Sequence, residues 1–410
     1  MVSTSDPGWR RPWRGNPIRR GTALLSAAAL ALALLVGTAG PATAAQSPFT
    51  LPAPTGHYPL GTTTLHLVDT SRPDPWVPTI PFRELMVQLW YPTAAITGYP
   101  RAPWMSPATA RSYEKNNDLP VIDWPMTHGQ VGAPVLRHRG GRPVVLYVPG
   151  FGDDRESNTV EFEDLASHGY VVATIDYVHD ADEVELPDGR LETSALPDDT
   201  GEDPAPLSIK GVEAKAADTR FVLDQLTALD HGANPDHEHR PLPAGLPGAL
   251  DLDHVGVFGH SDGGAATAHL LHVDPRIKVG ADFDGNIWTT EARAGSDRPM
   301  LLIGGQNPSP TEVDTWATFR RNQRGPALQL RLAGSTHVTF TDLAALVPEI
   351  GPTLSFPPER IAQIVGPDGP RAVMVLRSYL NAWFDRYLRD RDSRLLDGPS
   401  PRFPEIQFIP

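Results

Sequence analysis

The stretch Val255 to Gly264, VGVFGHSDGG, constrains the chain more than any other. A short apolar run (Val255, Val257, Phe258) meets Gly259-His260-Ser261-Asp262-Gly263, and a helix-like AATAHLLH follows. The pattern reads as strand, G-x-S-x-G turn and helix. A serine hydroxyl is a poor nucleophile unless a neighbouring base takes its proton. A tight turn lifts Ser261 clear of the sheet edge, where a base can reach it. Gly259 and Gly263 keep side chains out of the crowded turn. The helix N-terminus aims N–H groups at charge developing beside the serine. His260, the variable position of the turn, is read as structural.

The rest of the chain supplies the sheet that such a turn needs. TTTLHLVD (62–69) and RELMVQLWYP (83–92) alternate as strands. PVVLYVPGFGDD (143–154) and HGYVVATIDY (168–177) carry the continuous apolar runs of strands buried on both faces, with a helix between them at 158–168. A long amphipathic helix is predicted over 209–229. After the serine turn come strands at 277–288, 298–306 and 328–340, with a helix at 312–322. A last helix, 370–390, places Val373, Leu376, Leu380, Phe384 and Tyr387 on one face. Strands alternating with helices predict an α/β fold with a mostly parallel central sheet flanked by helices. Residues 46–410 are read as one catalytic domain. Two stretches interrupt it. Residues 93–142 are irregular and carry Trp104 and Trp124, either covering a site or forming plain surface. Residues 178–207 are acidic and Pro-rich and are read as a solvated excursion.

Residues 1–45 read as an export signal. Arg10, Arg11, Arg14, Arg19 and Arg20 precede an apolar core, GTALLSAAALALALLVG, and Ala42-Thr43-Ala44 is a cleavage site. Secretion is therefore expected, by a Sec or a twin-arginine route. This segment carries a net +4, so its removal takes the chain from −14 to about −18. A surface that acidic argues against nucleic acid and against tight binding to anionic membranes, leaving at most transient contact with lipid surfaces. With no Cys there is no disulfide and no thiolate nucleophile. His231, Asp236, His237, Glu238 and His239 cluster in a Pro/Gly loop, but nothing nearby completes a metal site, and a surface loop is the reading preferred. No metal, organic cofactor or obligate protein partner is expected.

In chain order, Ser261 is followed by Asp282 or Asp284 and then by His337. Each lies near a predicted strand's C-terminal end, in the order nucleophile, acid, base of an α/β-hydrolase. Asp284 is preferred to Asp282 because it lies beyond the apolar part of its strand. His337, in Gly334-Ser335-Thr336-His337, is the expected base. Two backbone N–H groups are needed for the oxyanion, and Asp262 and Phe151 are the candidates. The Asp262 carboxylate is expected to point away from that charge. Trp288 either walls an acyl pocket or belongs to the core.

GHSDGG, LASHGY (165–170), DFDGNIW and GSTHVTFTDL (334–343), with TGHYPLGTTTLHLVDTSRPDPW (55–76) and RELMVQLWYP, resemble the secreted and type II intracellular platelet-activating-factor acetylhydrolases and their actinobacterial relatives. The resemblance covers most of 55–390. It implies a calcium-independent serine esterase acting on short or oxidised acyl chains of phospholipids. By motif, Ser261, Asp284 and His337 fall on the triad, and Phe151 and Asp262 on the oxyanion donors. The chain departs from the animal enzymes in having Asp262 after the serine and PGFG in place of a His-Gly pair, changes that bear on acyl and head-group preference. The alternative expectation is a carboxylesterase, lipase or cutinase-like polyester hydrolase. A narrow pocket closed by 93–142 favours short acyl chains, and an open cleft favours polymers.

Overall fold

The computed structural model describes residues 49–197 and 203–410. The export signal read at 1–45, and residues 198–202 within the acidic stretch, lie outside the described residues. In chain order the strands are β1 (Leu60–Asp69), β2 (Arg83–Pro92), β3 (Arg101–Pro103), β4 (Met126–Val131), β5 (Arg142–Val148), β6 (Val171–Tyr177), β7 (Glu183–Glu185), β8 (Leu191–Thr193), β9 (Leu250–His260), β10 (Ile277–Phe283), β11 (Met300–Gly304), β12 (Ala327–Leu332) and β13 (Ile406–Ile409). The helices are α1 (Pro107–Asn116), α2 (Thr159–Ser167), α3 (Ala205–Asp230), α4 (Asp262–Val273), α5 (Thr290–Arg293), α6 (Pro310–Asn322), α7 (Leu343–Ile350), α8 (Pro358–Val365) and α9 (Gly369–Arg389).

Eleven strands form one sheet in the order β13-β12-β11-β10-β9-β5-β6-β2-β1-β4-β3. From β6 across to β12 every neighbouring pair is parallel. The β1–β2 hairpin joins antiparallel to β6, and β13 closes the other edge antiparallel to β12. The period-2 direction of strand side chains divides each central strand between two cores. On β5, Val144, Leu146 and Val148 meet Val212 and Leu226 of α3 and Ala265 of α4 on one face. Val145 and Tyr147 meet Phe162 of α2 and Leu380 and Phe384 of α9 on the other. The apolar stripe read on the last helix is what covers that second face.

Two expectations for the interrupting stretches change. The stretch 93–142 is not irregular throughout: it folds into β3, α1 and β4, with Trp104 and Trp124 packed tilted at 5.1 Å between ring centroids. The first half of the acidic stretch is not a solvated excursion. Val178, Asp180, Ala181, Glu183, Val184 and Leu186 are buried, and β7 pairs with β8 as a hairpin. Its carboxylates are tolerated inside because cations and N–H groups meet them.

The predicted strand 277–288 ends early, at Phe283, which leaves Asp284 just outside it. The strand read at 328–340 ends at Leu332. The histidine-rich loop is also accounted for. Asp236 accepts from the backbone of His66 and pairs with Arg240, and Glu238 pairs with the His66 ring. Among the described residues no group of three His, Asp or Glu is arranged to hold a metal. None of the described helices is long and apolar enough to cross a membrane.

Candidate active site

Parallel strands β5, β9, β10 and β12 all point their C-terminal ends to one edge of the sheet, where the loops that follow converge. β9 passes into α4 through Ser261 alone, whose backbone is left-handed at φ 56° and ψ −124°. A non-glycine residue there is strained and is held by its surroundings. The Ser261 N–H donates to the carbonyl of Phe283 at 2.9 Å, and the Ser261 carbonyl accepts from Ala265 at 3.1 Å. The turn is tight enough to require its glycines. A Cβ on Gly259 would stand 2.2 Å from the Gly263 carbonyl, and one on Gly263 would stand 1.9 Å from the carbonyl oxygen of Val148.

Asp284 follows β10 in the same left-handed region, at φ 59°. Its N–H donates to the carbonyl of Ile303 at 2.9 Å. That conformation turns its carboxylate out of the strand. Oδ1 accepts from the Gly305 N–H at 2.5 Å, and Oδ2 lies 2.7 Å from Nδ1 of His337. His337 opens a one-turn 3-10 segment, His337–Phe340, capped reciprocally by Thr336 and Thr339. The segment that carries His337 is therefore a defined turn. Burial acts on both partners and opposes their charges. It is outweighed by their mutual hydrogen bond and attraction, so Asp284 is held below the usual carboxylate range and His337 above 6.5.

Asp282 has a different fate. It is fully buried, its Oδ1 accepts only from the Gly285 N–H at 2.8 Å, and its Oδ2 has no hydrogen-bond partner. Burial pushes its carboxyl well above the usual range, and the charges of Glu312, Asp284 and Asp262 add to that. The structure brings His337 to Asp284.

The Pro149–Gly152 turn after β5 lies directly against the serine. A Cβ on Gly150 would come within 3.3 Å of Ser261 Cβ. Phe151 packs its ring edge-on to Trp76, at 6.1 Å. Across the site, Asp262 turns its carboxylate to Trp288, whose Nε1 donates to Oδ1 at 2.9 Å. Burial raises the Asp262 carboxyl above its ordinary value, against that bond. This side chain, expected to point away from the oxyanion, is buried with an indole as its partner.

A cavity of about 180 Å³ opens beside His337, His260 and Phe151. Its walls include Trp104, Met105, Tyr113 and Asn117, so the stretch 93–142 covers the site. Trp288 is not among its lining residues and packs partly against the core under α4.

His260 is the residue whose position sequence reasoning left least defined. Its ring stacks on His337 at 4.5 Å between centroids. Its Nδ1 lies 3.3 Å from Oδ2 of Asp153, and its Nε2 lies 3.1 Å from the carbonyl oxygen of His337. It braces the backbone of the putting-forward turn on which His337 sits. The sequence signal for it is its place inside the G-x-S-x-G turn.

A model of the family described as platelet-activating factor acetylhydrolase, isoform II, matches residues 130–356, a span that contains Phe151, Ser261, Asp284 and His337. A probable 1-alkyl-2-acetylglycerophosphocholine esterase from Arthroderma benhamiae is 27% identical over 281 residues, covering 66% of each chain. The platelet-activating factor acetylhydrolase of Bos taurus is 25% identical over 225 residues, covering 49% of this chain and 48% of that one. The chain thus spans about half to two thirds of the length of these curated relatives. Among solved structures, a ferulic acid esterase from Streptomyces cinnamoneus is similar with a TM-score of 0.74 and 37% identity, covering 88% of this chain and 99% of that one.

Proposed function

The chain belongs to the platelet-activating factor acetylhydrolase, isoform II, family, and on that premise we propose that it is a secreted carboxylic ester hydrolase acting on short or oxidised acyl esters of phospholipids. The observation that carries this reading is the 2.7 Å pairing of Asp284 with His337 beside a serine held at φ 56° in a strand-to-helix turn. Asp284 fixes the tautomer: Nδ1 donates to the carboxylate, so Nε2 is the nitrogen that takes the Ser261 proton. Oγ attacks the ester carbonyl, and the carbonyl electron pair moves onto oxygen. The N–H groups of Phe151 and Asp262 receive that oxyanion. Collapse breaks the bond to the alcohol, which leaves with the proton from His337. Water then adds to the acyl carbonyl with its proton passing to His337, and collapse releases the acid as His337 returns that proton to Ser261 Oγ. The size of the cavity and its cover by Trp104, Met105 and Tyr113 favour short acyl chains over a polymer.

A second reading rests on the same pocket. Trp104, Tyr113 and Phe151 offer aromatic walls, and the similar solved structure is named a ferulic acid esterase. Esters of hydroxycinnamic acids are therefore the competing substrate class.

The test is a paired assay without divalent metal, using a 2-acetyl phospholipid, a p-nitrophenyl ester series of rising length, and a feruloyl ester. Preference for the acetyl phospholipid with a collapse beyond short chains supports the first reading, and preference for the feruloyl ester supports the second. Preference for long-chain or polyester substrates overturns both and moves the assignment to the lipase–cutinase side. Ser261→Ala is expected to lower turnover by a factor on the order of 10⁴ to 10⁶. N-terminal sequencing of protein recovered from medium tests cleavage after Ala44.

A further inference from the structure

We propose that the buried ion pair between Lys215 and Asp180 is a positioning device that holds the Phe151–Gly152 turn in the orientation needed to receive an oxyanion. This rests on the reading of Phe151 as an oxyanion donor.

Lys215 lies on the inner face of α3 and Asp180 on the segment after β6, and both are 1% exposed. Lys215 Nζ is 2.5 Å from Asp180 Oδ1 and sits over the Tyr177 ring at 4.5 Å from its centroid. The same Oδ1 accepts the N–H of Gly152 at 3.2 Å. Two residues on, the N–H of Asp182 donates to the carbonyl of Gly152 at 3.0 Å. The peptide groups on either side of Gly152 are therefore both gripped by residues 180–182. The Phe151 ring is gripped too, between Trp76 and the backbone of Gly211, where a Cβ would come within 3.2 Å of it. Gly211 is one turn of α3 before Lys215. A single helix thus backs the Phe151 ring and supplies the cation that fixes Asp180.

Stability alone does not account for the pair. Taking both ions out of water costs about what their attraction returns, and apolar replacements of such pairs are often neutral or stabilising. Asp180 Oδ2 is also buried without a hydrogen-bond partner. Orientation does account for it. An oxyanion donor must already point at the charge before it develops, because a turn that reorients during the reaction loses much of the benefit. The ammonium adds a field: Lys215 is among the charges that oppose the effect of burial on Asp153 and Asp262, which flank Ser261.

The test uses the full chain and rates normalised to sites titrated by a fluorophosphonate. The double variant Lys215→Met/Asp180→Leu removes both charges together. It is expected to keep its melting temperature, to lose about 10- to 100-fold in kcat with KM changed less than about threefold, and to lose affinity for a trifluoromethyl ketone analogue in parallel with kcat/KM. A merely structural pair would lower the melting temperature and leave kcat per titrated site and analogue affinity unchanged, which overturns the proposal. If the double variant does not fold, Asp180→Asn decides. It keeps an acceptor for Gly152 but not the charge, and a smaller parallel loss in kcat and analogue affinity is expected. Unchanged analogue affinity there also overturns the proposal. A wild-type protein that the fluorophosphonate does not label sinks the serine-esterase reading instead.

Discussion

The Trp288 indole donates to the Asp262 carboxylate at 2.9 Å, tying the acidic side chain that follows the serine to the segment beyond β10. On the proposed mechanism, this bond accounts for an acid next to a site where negative charge develops. Trp288→Phe removes the donor and leaves a buried carboxyl group with one partner fewer. A buried polar group so orphaned costs roughly 1–3 kcal/mol. Thermal unfolding is expected to show a lowered melting temperature, with kcat/KM on a short ester reduced less than about tenfold, since the indole does not line the cavity.

Asp282 and Asp284 are two residues apart and are expected to respond oppositely to the same change. Burial pushes the Asp282 carboxyl well above the usual carboxylate range, and Asn carries no charge while keeping an acceptor for Gly285. Asp282→Asn is expected to keep kcat/KM within about threefold, with a loss of roughly 1–2 kcal/mol because its extra amide hydrogens are buried. Asp284→Asn loses the charge that holds His337, and kcat is expected to fall on the order of 10³- to 10⁴-fold. Steady-state kinetics on the two variants checks this. A reversed pattern assigns the acid role to Asp282.

With His337 as the proposed base, its environment is expected to set the acidic limb of activity. Burial pulls its pKa down, but the hydrogen bond and charge of Asp284, with the charges of Asp153 and Glu312, push it up further, to above 6.5. A base works only when neutral. The kcat/KM profile is therefore expected to rise with pH through a midpoint above 6.5, and Asp284→Asn is expected to move that midpoint down. The linkage to folding has the opposite sign. A histidine with a raised folded pKa adds stability that is fully present below 6.5 and is lost as pH rises through the folded value. A wild-type midpoint below 6.5 contradicts this account.

Much of this architecture is written locally. The apolar runs of β5, β6 and β9 announce a buried parallel sheet, because only strands covered on both faces omit the polar alternation. Ser261, Asp284 and His337 are legible because each follows a strand end in a fixed order. Other features depend on distant partners. The burial of Asp180 requires Lys215, 35 positions later, so a run of acids after β6 reads as solvated when taken alone. The bracing of His337 by His260 spans 77 positions. The α1 helix of the covering stretch has a polar composition and no clear apolar stripe, and it is fixed by Ser106 capping and by the packing of Tyr113 on Trp124.

Arg83 shows how the interior beside the site carries charge. It is fully buried on β2, with Nη1 2.6 Å from Asp74 and Nη2 2.8 Å from Asp218, and it also donates to the carbonyl of Val178 at the start of the segment that holds Asp180. Arg83→Met leaves two buried carboxylates without their main cation, and breaking such a network costs about 3–5 kcal/mol. Chemical denaturation is expected to show that loss. Kcat per titrated site, measured well below the melting temperature, is expected to change far less.

On the proposed function, the covering stretch is expected to set the length of the acyl chain admitted. Tyr113 lines the cavity from α1 and packs edge-on to Trp124 at 5.7 Å. It is half-buried, so its truncation costs less than that of a core aromatic and lengthens the cavity instead. Tyr113→Ala is expected to leave kcat/KM for an acetyl ester within about threefold. It is expected to raise kcat/KM for six- to eight-carbon esters by about tenfold, because each methylene newly buried contributes about 0.8 kcal/mol. A p-nitrophenyl ester series on wild type and variant measures this directly. Parallel chain-length profiles would place the acyl group outside the cavity walled by Trp104, Met105 and Tyr113, and would assign that space to the alcohol side of the ester.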